Sequence, residues 1–546
     1  MRHGGRILSD FLAAHGVERV FSVPGESFLA ALDGLYDSGI ANIVCRHEGG
    51  AAMMAEATGK LTGQPGVAFV TRGPGATNAS SGVHVARQDS TPMILFVGQI
   101  ARGHRDREAF QEVDYRAMFA PLAKWVAEVD DVERLPEYLA RAWRTALIGR
   151  PGPVVIALPE DMLSSHVDVP DVPAGTMETA PDLAAPARAA LDWIRGAERP
   201  LVVVGGPHWS PAAADALARF AEAEGVPVAL GFRRQDYLDN RHASYAGDLN
   251  VGMNPALGER LRQADRILAI GTRLGDIETK GYALLAPERD GARLFHVHAD
   301  PAEIGRVYPP AGAAVARADR FVEALAAATN GTAEAGDWAR AARADYDAWI
   351  APQESPGAVK QEAVIAWLSE HLPEDAILTN GAGNYAAFLH RYFVYKGFRT
   401  QLAPTSGSMG YGFPAAIAAS LAHPGRQVVC LAGDGCFQMT LNEMSTAVQH
   451  GARPIVIVVN NGQYGTIRMH QERHYPTRVS GTALANPDFA ALARAYGGHG
   501  ETVTAQAQFA DAFARATASG LPAVIEVQVD PEAISPTMTL SKLRGS

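Results

Sequence analysis

The stretch GDGCFQMTLNEMSTAVQHGARPIVIVVNNGQYG sets Asp434 between two glycines and, one helix-like and one strand-like run later, places Asn460 and Asn461 side by side. One carboxylate, one amide oxygen and a main-chain carbonyl just beyond form a sparse, hard, all-oxygen set. Magnesium takes such a set when a diphosphate and water complete its octahedron. The flanking glycines let the backbone approach phosphate closely and leave N–H groups free to point at it. A second Gly-rich turn, in TNGAGNYAAF, has the G-x-G-x-x-A spacing at Gly381, Gly383 and Ala386. In a nicotinamide site an acid ~20 positions further on holds the ribose, but neither Asp nor Glu occurs between Gly383 and Asp434. The turn therefore reads as a second diphosphate cradle, for a cofactor without that ribose.

Elements of a particular kind must position these groups. QVVCLAGDG reads as a buried strand ending in a glycine turn, Thr440 and Glu443 supply a T-x-x-E capping box, and Gly451 and Pro454 separate the helix from the strand PIVIVV. A right-handed crossover of this type brings both strand ends to one edge of a parallel sheet, where Asp434 and Asn461 can meet. The same grammar recurs along the chain in RVFSVP, NIVCRHE, GVAFVTRG, PMILFVGQ and VVIALP, then LVVVGG, PVALGF, RILAIG and LFHVHAD, then AILTN, QVVCLAGDG, PIVIVVNN and AVIEVQVD. Val- and Ile-rich runs followed by helical patterns predict three open, doubly wound α/β domains with parallel sheets. We place them at 1–170, 188–330 and 356–535, with linkers in SSHVDVPDVPAGTMETAPDLAAP and in NGTAEAGDWARAARADYDAWIAPQESPG, the latter containing a connecting helix.

Composition narrows the partners. Across 546 residues, 47% are hydrophobic, 20% are charged and the net charge is -11, which argues against a surface built for nucleic acid or an anionic membrane. Cys45, Cys430 and Cys436 are too few for a disulfide framework and form no CxxC pattern. No apolar run approaches the ~18 residues of a spanning helix, and the N-terminus lacks the pattern of a signal peptide. The expectation is a soluble cytoplasmic protein acting on small molecules.

A magnesium-bridged diphosphate on an α/β sheet, without the ribose acid, points to thiamine diphosphate. Here the sequence resembles the thiamine diphosphate enzymes of the acetolactate synthase type. The likeness runs in order through RHEGGAAMMAEATGKLTG, TRGPGATN, GQIARGHRDREAFQEVD, IALPEDML, HADPAEIGRVY and TSGSMGYGFPAAIAA. It implies a thiamine diphosphate-binding fold at both ends of the chain and a Rossmann-like domain between them. It further implies Asp434, Asn461 and the main-chain oxygen of Gln463 as magnesium ligands, with Gly383, Asn384, Tyr385, Gly435, Cys436, Tyr464 and Gly465 around the diphosphate.

At the reactive end, the resemblance assigns Glu48 to the cofactor's pyrimidine ring, where a carboxylate favours the imino tautomer that takes the C2 proton. An apolar setting would raise the pKa of that carboxyl toward a useful value. Met409 resembles the apolar wedge that bends the cofactor, and Gly407 would offer its carbonyl to the pyrimidine amine. His47 reads as scaffold. Because Glu48 lies in the first domain and Asp434 in the third, and the family draws them from different subunits, the resemblance implies a homodimer or homotetramer with sites at the interface.

The reaction follows from which proton donors surround the substrate. Simple decarboxylases of the family carry paired histidines where this chain reads AFQEVD, or a histidine at Thr71; here Phe110 and Gln111 match acetolactate synthases instead. Fewer donors leave the enamine free to attack a second carbonyl compound, so the expectation is decarboxylation of a 2-oxo acid followed by carboligation, with Gln111 in the catalytic set. His84 is a candidate donor in the same domain. The alternatives are a decarboxylase or lyase releasing an aldehyde, a flavin-linked oxidoreductase, and a non-catalytic binding homologue. Glu26, Arg72 and His470 depart from the synthase pattern around the substrate, and GTRLGDIETKG only partly resembles the FAD-binding stretch of some relatives, so the substrates and FAD stay open. HQERH, with Gln471 after the first His, lacks the zinc protease pattern and reads as a solvated helix face.

Overall fold

Runs of Val, Ile and Ala buried on both faces become the inner strands of three six-stranded sheets, all parallel, with helices on both sides. A computed structural model describes residues 1–172, 175, 182–329, 331 and 334–545, so parts of both expected linkers lie outside the described residues. The helix expected within the second linker is present at Asp337–Ile350.

In space, the first sheet runs Ala41–Val44, Arg19–Ser22, Gly66–Val70, Met93–Gln99, Pro153–Pro159, Trp125–Glu128. The last runs Gln401–Leu402, Ile377–Asn380, Val428–Gly433, Ile455–Asn460, Ala523–Gln528, His499–Val503. Counted within its own domain, each has the order 2-1-3-4-6-5, so the two ends of the chain share one topology. The central sheet runs Tyr245–Asp248, Val228–Leu230, Pro200–Val204, Arg266–Ile270, Leu294–His298, Gly312–Val315. That is the order 3-2-1-4-5-6 of dinucleotide-binding folds. The doubly wound α/β expectation therefore holds for all three domains.

The strands that the apolar runs do not announce are edge strands: Trp125–Glu128, Tyr245–Asp248, Gly312–Val315, Gln401–Leu402 and His499–Val503. An edge strand has one neighbour, and several of these carry exposed or half-exposed positions that interrupt the buried run. A short antiparallel pair, Arg2–His3 with His166–Val167, closes the first domain on itself.

The first and third domains share one hydrophobic core. Helix Glu48–Thr62, opening GGAAMMA, packs on helix Gly412–Ala422, opening GFPAAIA, and both contribute to a single buried cluster. Small side chains let the two helices approach closely. Polar ties cross the same boundary: Tyr411 donates its hydroxyl to buried Glu56 at 2.5 Å, and Asp89 accepts the Thr405 N–H at 2.6 Å and pairs with Lys60. Arg234 of the central domain donates to the Asp89 carbonyl at 3.1 Å, so one residue touches all three domains.

Candidate active site

In a 2-1-3 sheet the crevice for ligands opens beyond the C-terminal ends of strands 1 and 3, where the winding reverses. In the third domain those strands are Ile377–Asn380 and Val428–Gly433, and a cavity of about 240 Å³ opens there. Gly383, Asn384, Tyr385, Gly407, Met409, Asp434, Gly435, Cys436, Asn461, Gln463, Tyr464 and Gly465 all line it. Every residue expected at this end of the cofactor thus faces one space. Helices Asn384–Tyr392 and Gly465–His474 both begin at its wall, presenting free N–H groups and the positive ends of their dipoles.

The local sequence explains the shape. Tyr385 lies buried with its ring against Gly383 and Gly433, where an added Cβ would stand 2.7 and 2.9 Å from ring carbons. The Tyr464 ring covers Gly435 in the same way, at 2.5 Å. These glycines therefore make room for tyrosines as well as for a ligand. Gly383 itself sits at a φ of 151°, which an L side chain rarely adopts. Tyr385 donates its hydroxyl to Cys436 Sγ at 3.1 Å, and the Gly410 N–H reaches the same sulfur at 3.1 Å.

Asp434 opens a short helix rather than continuing a turn. Its carboxylate accepts the N–H of Gly435 at 2.8 Å and of Gly462 at 2.9 Å, so the crossover brings the Asp434 and Asn461 segments together. Asn461 Oδ1 accepts the Gln463 N–H at 3.2 Å. Burial pushes the Asp434 carboxyl above the usual carboxylate range, and the hydrogen bonds from Gly435, Asn486 and Gly462 oppose that. Carboxylate, amide oxygen and main-chain carbonyl at one sheet edge make a donor set that suits magnesium.

The other predicted group gathers in the first domain. Glu48 begins helix Glu48–Thr62, capped by His47, whose Nδ1 accepts the Gly49 N–H at 3.0 Å. Glu48 Oε2 accepts from Asn78 Nδ2 at 2.9 Å, and Gly75 is close enough that a Cβ there would lie 3.3 Å from Glu48 Oε1. Gln111 adopts a φ of 66° and crosses Gly73, whose added Cβ would meet it at 2.8 Å. The TRGPG segment therefore joins Glu48 and Gln111 into one cluster. The apolar surroundings expected for Glu48 are absent from the single chain, where it is half-exposed and bonded to exposed Asn78. Glu48 and Gln111 are not among the residues lining the cavity around Asp434 of the same chain.

Several residues escape sequence reasoning. Asn486 donates to Asp434 and to Asn460, Thr466 donates to Asn384 Oδ1 at 2.9 Å, and Ile534 accepts from Asn384 Nδ2 at 2.8 Å. Two departures from the family pattern are one pair: Arg72 donates to Glu26 at 3.2 Å and to Glu160 at 2.9 Å. The expected capping box does not form. Thr440 donates its hydroxyl to the Gly410 carbonyl at 2.8 Å, and Glu443 turns into the first domain. His470 and His474 stack with centroids 6.2 Å apart on an exposed face, as read, while Glu472 between them is buried against Arg468 and Arg544. No helix among the described residues is long and apolar enough to cross a membrane.

Comparison with known proteins agrees with this arrangement domain by domain. Residues 2–118 match the thiamine pyrophosphate enzyme N-terminal TPP binding domain, 187–325 its central domain and 381–527 its C-terminal TPP binding domain. The chain is 34% identical to the acetolactate synthase large subunit of Parasynechococcus marenigrum, over 96% of this chain and 87% of that protein. It is 30% identical to the acetolactate synthase isozyme 2 large subunit of Escherichia coli, over 97% and 96%, and 32% identical to the acetolactate synthase of Mycobacterium bovis, over 95% and 86%. With three domain matches in order and near full-length likeness to these synthases, the chain belongs to the thiamine pyrophosphate enzyme family.

Proposed function

We propose that this protein is a thiamine diphosphate- and magnesium-dependent enzyme that decarboxylates a 2-oxo acid and joins the remaining carbon unit to a second carbonyl compound, the reaction class of an acetolactate synthase. The observation that carries the reading is the cavity at the third domain's switch point, with Asp434, Asn461 and two helix N-termini around it. Bound there, thiamine diphosphate supplies the acidic carbon and the electron sink that 2-oxo acid decarboxylation needs.

The chain's own residues divide the remaining work. Asp434, Asn461 and the Gln463 carbonyl would hold magnesium, and the N–H groups at the starts of the two helices would take the diphosphate. Met409 and Gly407, on the cavity wall, shape and orient the far end. Glu48 would move a proton at the pyrimidine, held by Asn78, with Gly75 leaving room beside its carboxylate. Gln111 offers an amide, which cannot deliver a proton as an imidazolium can. His47, adjacent to Glu48, has Nδ1 committed to its helix cap. Poor proton delivery favours carboligation over aldehyde release.

Glu48 stands on an exposed face of the first domain while the cavity lies in the third, so a complete site needs a second copy. Exposed Phe110, Met439 and Ile467 give these surfaces apolar area for association. A homodimer, or a tetramer built from it, completes the sites.

We read the strand-end crevice of the central domain as taken by its own side chain rather than by FAD. Its ligand crevice opens between strands Pro200–Val204 and Arg266–Ile270, and Glu278 already fills it. Glu278 accepts the Thr272 hydroxyl at 2.6 Å and the N–H groups of Phe232 and Gly275 at 3.1 Å each; a Cβ on Gly231 would stand 2.4 Å from its oxygen. An internal carboxylate thus takes the main-chain donors at this strand end, while cavities of about 100 and 240 Å³ lie beside it along Gly206 and Pro207. No flavin step is assigned.

Feeding pyruvate with and without a second 2-oxo acid, and identifying products by mass spectrometry, tests the reaction. A carbon–carbon bonded hydroxy-oxo acid is expected; acetaldehyde alone would defeat the carboligase reading in favour of the decarboxylase.

A further inference from the structure

Glu443 is a fully buried acid of the third domain, with 0% exposure, that has no part in the site described above. It follows Asp434 within one short segment, in the turn Leu441–Glu443. Its carboxylate does not stay in its own domain. Both oxygens accept the Arg46 N–H at 3.2 Å, Oε1 accepts the His47 N–H at 3.0 Å, and Oε2 takes the Thr446 hydroxyl at 2.6 Å. Arg46 and His47 are the two residues before Glu48.

The residue two positions after Glu48 is fitted to the same carboxylate. An added Cβ on Gly50 would stand 2.4 Å from Glu443 Oε1, so glycine is needed for the acid to reach its place. The neighbouring helix Met444–His450 adds further ties to the strand end: the Val44 N–H donates to His450 Nε2 at 2.9 Å, and Arg46 donates to Gln449. Main chain on both sides of Glu48 is thus held by the third domain of the same chain. A buried carboxylate that accepts several N–H groups is a rigid anchor, because each lost bond would leave a buried group unsatisfied.

We propose that Glu443 is a positioning residue for Glu48: it fixes the main chain that aims the pyrimidine acid, so each chain's Asp434–Glu443 segment serves its own cofactor cavity and the cavity of its partner. The proposal rests on the reading of Glu48 as that acid in a shared, dimeric site. A positioning role of this kind predicts that disturbing Glu443 slows proton transfer without weakening cofactor retention.

The direct test is Glu443→Gln in the holoenzyme. The amide keeps the volume but turns one acceptor into a donor facing an N–H. Exchange of the bound cofactor's C2 proton, followed by acid-quench NMR, is expected to slow about 10-fold or more, the range for lost supporting contacts. Calorimetric affinity for thiamine diphosphate and KM should stay near wild type while kcat falls. Should that variant fold poorly, Gly50→Ala displaces the carboxylate sterically and should give the same slowing. Wild-type exchange in a folded variant of either kind overturns the proposal. Glu48→Gln run in parallel separates the two readings: unchanged exchange there removes Glu48 itself, whereas slow exchange there with normal exchange in Glu443→Gln removes only the positioning role.

Mixed dimers give a readout that general destabilisation would not move. With both substitutions on one chain and a wild-type partner, one site is intact and about half the activity remains. With Glu48→Gln on one chain and Glu443→Gln on the other, each Glu48 is lost or loosened, and activity should fall well below half. If the second arrangement also keeps half, Glu443 acts on its own chain's cofactor cavity and the proposal is wrong.

Discussion

Asn486 donates Nδ2 to Asp434 Oδ2 at 2.7 Å and to Asn460 Oδ1 at 2.8 Å, so one amide fixes the acid between the glycines relative to the first of the paired asparagines. Asn460 in turn donates to buried Glu526 at 2.6 Å. Supporting contacts of this kind orient metal ligands, and their loss typically costs about 10- to 100-fold in affinity. Asn486→Ala is therefore expected to weaken magnesium-dependent binding of thiamine diphosphate by that order. Calorimetric titration of the cofactor, at fixed magnesium, measures it; an unchanged Kd would exclude Asn486 from supporting the site.

Asp434 and Glu48 should fail in opposite ways. Asp434→Ala removes the charged member of the oxygen set, and retention of the cofactor on gel filtration should be lost even with magnesium present. Glu48→Gln leaves the third-domain cavity untouched, so retention should survive while exchange of the C2 proton slows by about 100-fold or more, the scale of general acid–base assistance. Equal loss of retention in both variants would mean that Glu48 holds the cofactor rather than serving its chemistry.

Glu278 predicts a colourless enzyme. Purified protein should show no flavin absorption in the visible, and added FAD should leave the carboligation rate unchanged. Glu278→Ala opens the central crevice and frees the N–H groups of Phe232 and Gly275. A stoichiometric flavin in the unaltered protein would overturn the reading of that crevice as filled.

The inner strands are legible because burial on both faces demands uninterrupted apolar side chains, as in Met93–Gln99 and Pro153–Pro159. Edge strands such as His499–Val503 mix exposed and buried positions and give no such run. Asp434 and Asn461 are legible because a single crossover joins them and parallel topology dictates that their strand ends coincide. Asn486 is not, because nothing local marks an asparagine that meets Asp434 from 52 positions away. Glu443 illustrates the same limit. Its spacing from Thr440 satisfies a local capping pattern, yet its carboxylate bonds to main chain 397 positions distant, where burial and three donors outweigh one helix cap. Arg72 and Glu26 look like separate departures until the fold sets them in contact. The shared 2-1-3-4-6-5 order of the first and third sheets is not announced by the strand runs themselves, since topology constrains hydrophobic pattern far more than residue identity.

His298 carries a pH prediction. It ends strand Leu294–His298 in HVHAD, is buried with 1% exposure, and its Nδ1 accepts the Asp300 N–H at 3.0 Å. Burial, with repulsion from His296 as the next cause, pushes its imidazole down to about 4. The folded value lies below the unfolded value of 6.5, so between these limits the unfolded chain binds the extra proton. Stability attributable to neutral His298 is thus complete above pH 6.5, falls as the pH drops, and has gone below about 4. At pH 5 the loss amounts to about 2 kcal/mol by linkage. His298→Gln, which titrates nowhere in this range, should flatten the acid limb of the central domain's denaturation midpoint between pH 7 and 5, whatever it costs at neutral pH. Urea midpoints at both pH values for wild type and variant provide the comparison, and identical slopes would show that His298 is not a proton-linked contributor.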